Sequence, residues 1–233
     1  MSKVQYNSEL FDLVKDLTSI NTQIVFEKDD EENILVRRSD SESTIAYELK
    51  APREYFDFSG EKVAFYQYPV FFQYFKAIGE PEIHISEKSL TLKEKGSKTN
   101  YLLSNPESIE KGPREINFVD PDIRINLTSG DLDEILKMIA LINAKKVQVF
   151  GNDDKLTIKV YQSLHDNTFE KTFEVENLSN IDEEIDFVMF AETFKNLPVK
   201  RDYTVEIKKQ GFIKISLVDE NISLDIYTGK IKG

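Results

Sequence analysis

Residues 8–20 read SELFDLVKDLTSI and residues 130–142 read GDLDEILKMIALI, so the chain carries the same short pattern twice. In both stretches the apolar residues recur at the i, i+3, i+4, i+7 spacing that places them on one face of an α-helix. When the two stretches are aligned, Lys15 falls on Lys137. Each stretch is followed by alternating apolar and polar residues, a pattern that is typical of strands.

A second pair of similar stretches follows the first pair at nearly the same spacing. Residues 74–78 read YFKAI and residues 193–197 read TFKNL, and their alignment places Lys76 on Lys195. Repeats of this kind predict two similar domains within one chain. Lysine recurs at equivalent positions of both repeats, which suggests that the repeat presents a functional surface.

The connector between the two domains is expected at residues 104–115, which are polar and contain two prolines and a glycine. We place the domains at residues 1–110 and 111–233. The pattern predicts an α+β fold of two similar domains, each an antiparallel sheet with two helices on one face. The helices are predicted at residues 7–20, 69–79, 128–142 and 191–197. Strands are expected at residues 23–27, 34–38, 44–49, 55–58, 62–67, 82–86, 89–92, 101–103, 123–127, 147–150, 155–161, 203–208, 212–217 and 222–227.

The composition excludes several classes of protein. The chain has 233 residues, a formal net charge of −12 and no cysteine, which excludes disulfides, thiolate nucleophiles and cysteine-bound zinc. No stretch approaches the ~20 apolar residues of a membrane span, and the first residues lack a signal-peptide pattern. We therefore expect a soluble protein in the cytoplasm, or in the host cytoplasm if the source is a virus. A chain with so much negative charge is not expected to bind DNA by the usual contacts in its grooves.

Residues that could carry catalysis or bind a metal are few. The sequence lacks a P-loop, a dinucleotide-binding glycine motif and a nucleophile elbow. Its two histidines are expected in a strand (His84) and in a turn (His165). The acidic runs at 29–32, 153–154 and 182–184 lack the spacing of a calcium loop. We therefore predict no enzyme activity, no cofactor and no metal site, and keep as an alternative a metal-assisted hydrolase that uses the second of these runs.

The basic residues follow the repeat. Each predicted helix carries one lysine off its apolar stripe, and further basic residues lie just past the ends of the third and fourth helices. We expect the helices to form one basic layer while the sheets and turns hold the acid. Lysines placed in this way neutralise phosphates without reading bases. The predicted DNA-binding residues are Lys15, Lys76, Lys137, Lys145, Lys146, Lys195, Lys200 and Arg201.

Several short stretches resemble the sliding-clamp family of DNA polymerase processivity factors. They are LVKDLTSIN at 13–21, FDF at 56–58, the strand-to-helix passage at 65–78 and EIHIS at 82–86, together with the two-copy plan. The sequence is most similar to the clamp of T-even bacteriophages, and more distantly to the proliferating cell nuclear antigen of eukaryotes. The likeness spans nearly the whole chain.

The resemblance implies the DNA clamp fold and a role in DNA replication without catalysis. In that family three protomers close a ring of six domains, helices line the hole, duplex DNA passes through, and the ring tethers the replicative DNA polymerase for processive synthesis. An ATP-dependent clamp loader opens the ring, and partners dock by short peptides in an apolar pocket near the connector. The resemblance thus implies a homotrimer that acts as a polymerase accessory protein of a bacteriophage. The residues expected to border its pocket are Ile116, Phe118, Pro121 and Ile123.

An acidic interaction protein is the main alternative to this hypothesis. A DNA mimic that inhibits a DNA-binding partner would share the net charge of −12. Such a protein would have no need for lysines repeated at equivalent helix positions. The mass of the protein in solution is the measurement that best separates these hypotheses.

Overall fold

The chain folds into two compact units in a computed structural model. The structure describes residues 2–79, 81–113, 116–152, 154–163, 167–178 and 184–231. The first unit comprises residues 1–114 and 219–224, and the second comprises residues 115–218 and 225–233. The predicted turn histidine, His165, lies outside the described residues, as do Asp153 and residues 182–183 of the acidic runs.

The first unit contains two α-helices and two antiparallel sheets. Its helices are α1 (Ser8–Leu17) and α2 (Tyr68–Ile78). Its strands are β1 (Ser2–Val4), β2 (Ile24–Lys28), β3 (Ile34–Ser39), β4 (Ile45–Ala51), β5 (Lys62–Phe65), β6 (Glu82–Ile85), β7 (Ser89–Glu94) and β8 (Ser97–Leu102). One sheet has the order β1-β6-β7-β8, and the other has the order β4-β3-β2-β5. Short 3-10 turns lie at Arg53–Tyr55 and Pro106–Ser108.

Local sequence signals explain both helices of the first unit. The side chain of Asn7 accepts a hydrogen bond of 2.7 Å from the backbone N–H of Glu9, which caps the start of α1. Pro69 lies in the first turn of α2, where its missing N–H costs nothing. Gly79 follows α2 with a φ of 97°, a left-handed conformation that favours glycine and ends the helix.

Aromatic rings fill the core of the first unit. Phe11 of α1 is fully buried, and its ring centroid lies 5.1 Å from that of Phe56 and 5.2 Å from that of Phe75. Both contacts are edge-on, the arrangement that the charge distribution of aromatic rings favours. The buried aromatic residues of this core include Phe11, Phe26, Phe56, Phe58, Phe65, Tyr68, Phe71 and Phe75. The core thus joins α1 and α2 to the strands β2 and β5.

The second unit repeats this composition with a longer and a very short helix. Its helices are α3 (Ser129–Ile142) and α4 (Glu192–Lys195). Its strands are β9 (Ile123–Leu127), β10 (Lys146–Gly151), β11 (Lys155–Tyr161), β12 (Thr168–Glu174), β13 (Glu176–Asn177), β14 (Ile185–Phe190), β15 (Tyr203–Lys208), β16 (Phe212–Leu217) and β17 (Ser223–Gly229). One antiparallel sheet has the order β12-β11-β10-β14, and the other has the order β13-β9-β15-β16-β17, with residues 225–229 of β17 in this unit.

A capping box begins α3. The Thr128 hydroxyl accepts from the N–H of Asp131 at 3.2 Å, and the Asp131 carboxylate accepts from the N–H of Thr128 at 3.0 Å. The buried face of the helix consists of Leu132, Ile135 and Ile139. The fourth helix is shorter than predicted, because only Glu192–Lys195 is helical before Pro198.

Two further features differ from the predicted elements. The strand expected at 55–58 is absent, and the chain instead forms the 3-10 turn at Arg53–Tyr55 and a single bridge from Phe56 to Tyr6. Strands β1, β12, β13 and β14 were not predicted. Among the described residues, no helix combines the length and apolarity needed to cross a bilayer.

Candidate functional site

The two helix lysines of the first unit have different surroundings. Lys76 of α2 lies over the ring of Phe72, with its Nζ 5.2 Å from the ring centroid. The same Nζ lies 2.7 Å from Oδ1 of Asp12 on α1, so the lysine forms an ion pair between the helices. Lys15 of α1 is half-buried and has no carboxylate partner among the described residues. Of these two helix lysines, Lys76 is paired with a carboxylate, and Lys15 has no such partner within the described part of the chain.

The helix lysines of the second unit are both paired within their own helices. Nζ of Lys137 lies 2.6 Å from Asp133, four residues earlier, and this hydrogen bond raises the pKa of Lys137. Nζ of Lys195 lies 3.1 Å from Glu192, three residues earlier. Both pairs are exposed, and water screens exposed ion pairs so that they contribute little to stability. A phosphate can therefore compete for either lysine at small cost.

The helices also carry acid. α1 contains Glu9, Asp12 and Asp16 beside its single lysine, and α3 contains Asp131, Asp133 and Glu134. The expectation that acid is confined to the sheets and turns is therefore wrong for these two helices. The polar face of an amphipathic helix must be hydrophilic, and that requirement does not select the sign of its charges.

Four of the predicted DNA-binding residues lie outside the helices, and they lie toward opposite ends of α3. Lys145 and Lys146 directly follow the C-terminal end of α3, where the carbonyl of Lys145 accepts from the N–H of Ala191 at 3.0 Å. Lys200 and Arg201 precede Asp202, whose carboxylate accepts from the N–H of Ser129 at 2.6 Å, at the N-terminal end of α3. Because a 14-residue helix is about 21 Å long, these residues form two basic pairs instead of one cluster.

A lysine that the sequence interpretation missed holds β12 against α3. Nζ of Lys171 on β12 lies 2.9 Å from Oδ1 of Asp131 and also contacts Glu134. These hydrogen bonds, that to Glu134 first, raise the pKa of Lys171. Partial burial opposes ionisation of Asp131, but hydrogen bonds from Thr128 and Lys171 outweigh burial and lower its pKa. Because β12 and α3 are far apart in the chain, no local sequence pattern predicts this contact.

The predicted docking residue Phe118 lies on the outer face of the sheet that contains β15, β16 and β17. Its ring stacks on Phe212, with 5.8 Å between the centroids, and lies 6.4 Å from the ring of Tyr227. The ammonium groups of Lys208 and Lys214 lie 5.4 Å and 5.9 Å from the Phe118 centroid. The strand register places these four partners on one face, because Lys208 pairs with Phe212 and Lys214 pairs with Tyr227.

The other three predicted docking residues divide between two environments. Ile116 and Pro121 are half-buried in the irregular segment 116–121, close to Phe118 in the chain. Ile123 is 1% exposed in β9 and pairs with Ile207, which faces the core. Since neighbouring residues of a strand point to opposite faces, Ile123 does not border the surface that carries Phe118.

Each unit has one sheet that ends in an uncovered strand. Among the strands that the structure describes, β8 pairs only with β7, and β12 pairs only with β11. The opposite edges of the same sheets are blunted, because β1 has three residues and the carbonyl of Val188 in β14 accepts from the N–H of Ile231. Leu102 of β8 is 79% exposed. Uncovered edges of this length are templates for pairing with another chain.

No protein-family model matches the sequence. No curated protein sequence matches it either. Similar proteins are found among solved three-dimensional structures.

Solved structures of PCNA-type sliding clamps match the whole chain. A. fulgidus PCNA, bound to the C-terminal region of FEN-1, superposes with a TM-score of 0.77 over 100% of both chains at 12% identity. The proliferating cellular nuclear antigen of Entamoeba histolytica gives 0.75 over 99% of this chain and 98% of that chain at 14% identity. A chain of the PCNA2–PCNA3 complex of Sulfolobus tokodaii gives 0.73 over 99% of both chains at 14% identity. The protein has the α+β DNA clamp fold that PCNA-type sliding clamps share.

Proposed function

We propose that the protein is a sliding clamp, closest to the T-even bacteriophage type, that encircles duplex DNA as a homotrimeric ring. It tethers the replicative DNA polymerase for processive synthesis and has no catalytic activity of its own. An ATP-dependent clamp loader opens the ring. On this proposal its working domains are residues 1–110 and 111–233, and it acts in the cytoplasm, or in the host cytoplasm if the source is a virus.

The observation that carries the proposal is the full-length match to PCNA-type clamps, with TM-scores of 0.73 to 0.77 over 98–100% of each chain. The match includes both halves of the chain and their order. A protein that merely mimics DNA would need an acidic surface and would not need this particular duplicated fold.

The helix lysines support the DNA-binding part of the proposal. Lys15, Lys76, Lys137 and Lys195 occupy equivalent places in the repeat, and none is buried in a core. Three of the four are held by exposed carboxylates in weak pairs, which suits contacts that form and break as a ring slides. The net charge of −12 per chain disfavours DNA binding elsewhere on the surface.

The two uncovered strands support the ring. β8 and β12 are different sequences in different units, so pairing of one with the other between chains is head-to-tail. Head-to-tail contacts generate a closed ring when the rotation between subunits closes. Two clamp-like units per chain make six in a trimer.

The segment 116–121 supports a docking site for partners. Phe118, Ile116 and Pro121 lie together on it, and Phe118 rests on the exposed ring of Phe212. We propose that peptides of the DNA polymerase and of other partners bind there. The site is formed within the second unit and so is present in every protomer.

The experiment that tests the function is threading onto linear duplex DNA. A ring passes over free ends in both directions, so protein added to open DNA should be retained once streptavidin caps both ends, and no protein should be retained on DNA that is capped before the protein is added. A protein that binds the outside of the duplex would be retained equally on both DNAs, and a DNA mimic would be retained on neither. Light scattering of the same sample gives the mass of the assembly, and a persistent monomer would contradict the trimer.

A further inference from the structure

The segment 116–121 is attached to the second unit in an unusual way. Across the described residues, no hydrogen bond joins the backbone or side chains of this segment to any other residue. Asp120 within it has a φ of 52°, a left-handed conformation that is uncommon outside glycine. Val119 is 51% exposed and adds no anchor. The ring of Phe118 therefore supplies the specific contacts that hold the segment on the sheet.

The site that receives this ring combines two aromatic rings with two ammonium groups. Phe212 offers a ring that is 39% exposed, and Tyr227 forms a second, buried wall. Lys208 has no carboxylate partner among the described residues. Lys214 lies 3.1 Å from Oε2 of Glu206, so its charge is partly compensated. Phe118 satisfies the aromatic part of the site and leaves the ammonium of Lys208 without an anion.

We propose that Phe118 is an intramolecular occupant of the docking site and that a partner peptide binds by displacing it. The inference rests on the proposed function, since it concerns the same docking surface. The segment can leave without breaking a backbone hydrogen bond to any of the described residues, so its release costs the contacts of the Phe118 ring and the partial burial of Ile116 and Pro121. The site therefore stays closed in the free protein and opens for a ligand that replaces those contacts.

The ligand that fits is a peptide with an aromatic side chain and an adjacent carboxylate. Its ring would take the place of Phe118 on Phe212, and its carboxylate would reach Lys208. Cation–ring contacts are retained after the exchange, and a new ion pair is added. Charge complementarity thus favours the incoming peptide over the resident ring.

The test uses a fluorescein-labelled synthetic peptide with one phenylalanine flanked by glutamates, titrated into the full-length protein. We expect Phe118→Ala to bind it about two- to tenfold more tightly than the unchanged protein, because a competing occupant lowers apparent affinity by the fraction of open sites. Val119→Ala is the matched control and should leave the affinity unchanged. Weaker binding by Phe118→Ala would make Phe118 a wall of the site and overturn the proposal.

A second measurement follows the ring itself. With 4-fluorophenylalanine at position 118, the fluorine resonance should move to a solvent-like frequency when the peptide binds. A bound peptide with an unmoved resonance would overturn displacement. Lys208→Gln should weaken binding of the glutamate peptide more than binding of a glutamine analogue, because only the glutamate peptide also loses an ion pair. Equal losses of affinity for both peptides would overturn the charge assignment. If neither the unchanged protein nor any variant bound the peptide, the inference would also be overturned. The mass of the trimer and the DNA-threading experiment test the proposed function separately.

Discussion

The Nζ atom of Lys76 on α2 lies 2.7 Å from Oδ1 of Asp12 on α1, which ties a candidate DNA-contacting lysine to a carboxylate of the neighbouring helix. Both side chains are about half exposed. An ion pair in such surroundings is screened by water and contributes about 0–1 kcal/mol to stability. The pair is therefore a weak competitor of a DNA phosphate, and removing its acidic member should favour DNA.

The first prediction follows from this pair. Asp12→Asn should raise the affinity for duplex DNA about two- to fivefold, because it frees Lys76 and removes a repelling carboxylate. Lys76→Glu should lower the affinity. Equilibrium binding at low salt measures both. Asp57→Asn is the control, since it breaks a comparable exposed pair with Arg53 that lies outside the helices. Equal effects of the two asparagine variants would contradict a specific role for Lys76.

The second prediction concerns the repeated lysines together. Reversing the charge at Lys15, Lys76, Lys137 and Lys195 should weaken DNA retention on any sequence while the fold and trimer persist. Each phosphate contact that is lost should make the slope of log affinity against log salt shallower by about 0.9. The salt dependence of binding is therefore the measurement.

Two strand lysines serve as the control for that variant. Lys93 and Lys159 each follow a buried residue, Leu92 and Ile158, and so point away from the core-facing side of their sheets. Reversing both charges should change retention little. If this outer pair mattered as much as the helix lysines, the assignment of the helices to DNA would be wrong.

The third prediction concerns assembly. Leu102→Glu should dissociate the trimer at concentrations at which the unchanged protein remains assembled, because Leu102 is a 79% exposed apolar side chain on the uncovered strand β8. Burying a leucine contributes about 1.5–3 kcal/mol, so each interface should weaken at least about tenfold. Analytical ultracentrifugation measures the shift. Val218→Glu alters another exposed apolar residue, 61% exposed and outside the strands, and should leave the trimer intact.

The fourth prediction concerns the core of the first unit. Phe11→Ala should destabilise the protein by about 3–5 kcal/mol, because it leaves a cavity among rings that cannot collapse to fill it. Phe72→Ala should cost clearly less, since Phe72 is half-buried. Urea denaturation followed by circular dichroism compares the two variants. Similar losses for both would show that the cluster around Phe11 relaxes freely.

The fifth prediction concerns acid stability. Burial opposes ionisation of Glu206, but hydrogen bonds from Arg124 and Lys214 outweigh it and lower its pKa below the ordinary 4.5. A carboxylate with a lowered pKa stabilises the fold above pH 4.5, and this contribution is lost as the pH falls through its native pKa. The urea midpoint of Glu206→Gln should therefore fall less on acidification than that of the unchanged protein. Glu42→Gln, at an exposed carboxylate, should follow the unchanged protein.

Two ion pairs of the candidate site could be predicted from the spacing of their residues alone. The pairs Asp133–Lys137 and Glu192–Lys195 are four and three residues apart, the separations at which helix side chains meet. The pairing of Lys76 with Asp12 could not be predicted from spacing, because the two residues lie on different helices. The approach of these helices depends on the aromatic core that they share.

Local patterns in the chain predict most of the helices and strands and their duplication. Apolar spacing, the capping box at Thr128 and the glycine stop at Gly79 act over a few residues, so each leaves a signature in the chain. Long-range contacts set which strands pair, where β12 and β14 lie, and how Phe118 packs on Phe212. These contacts join residues far apart in the chain, and their free energy comes from surfaces buried together, which no local pattern records.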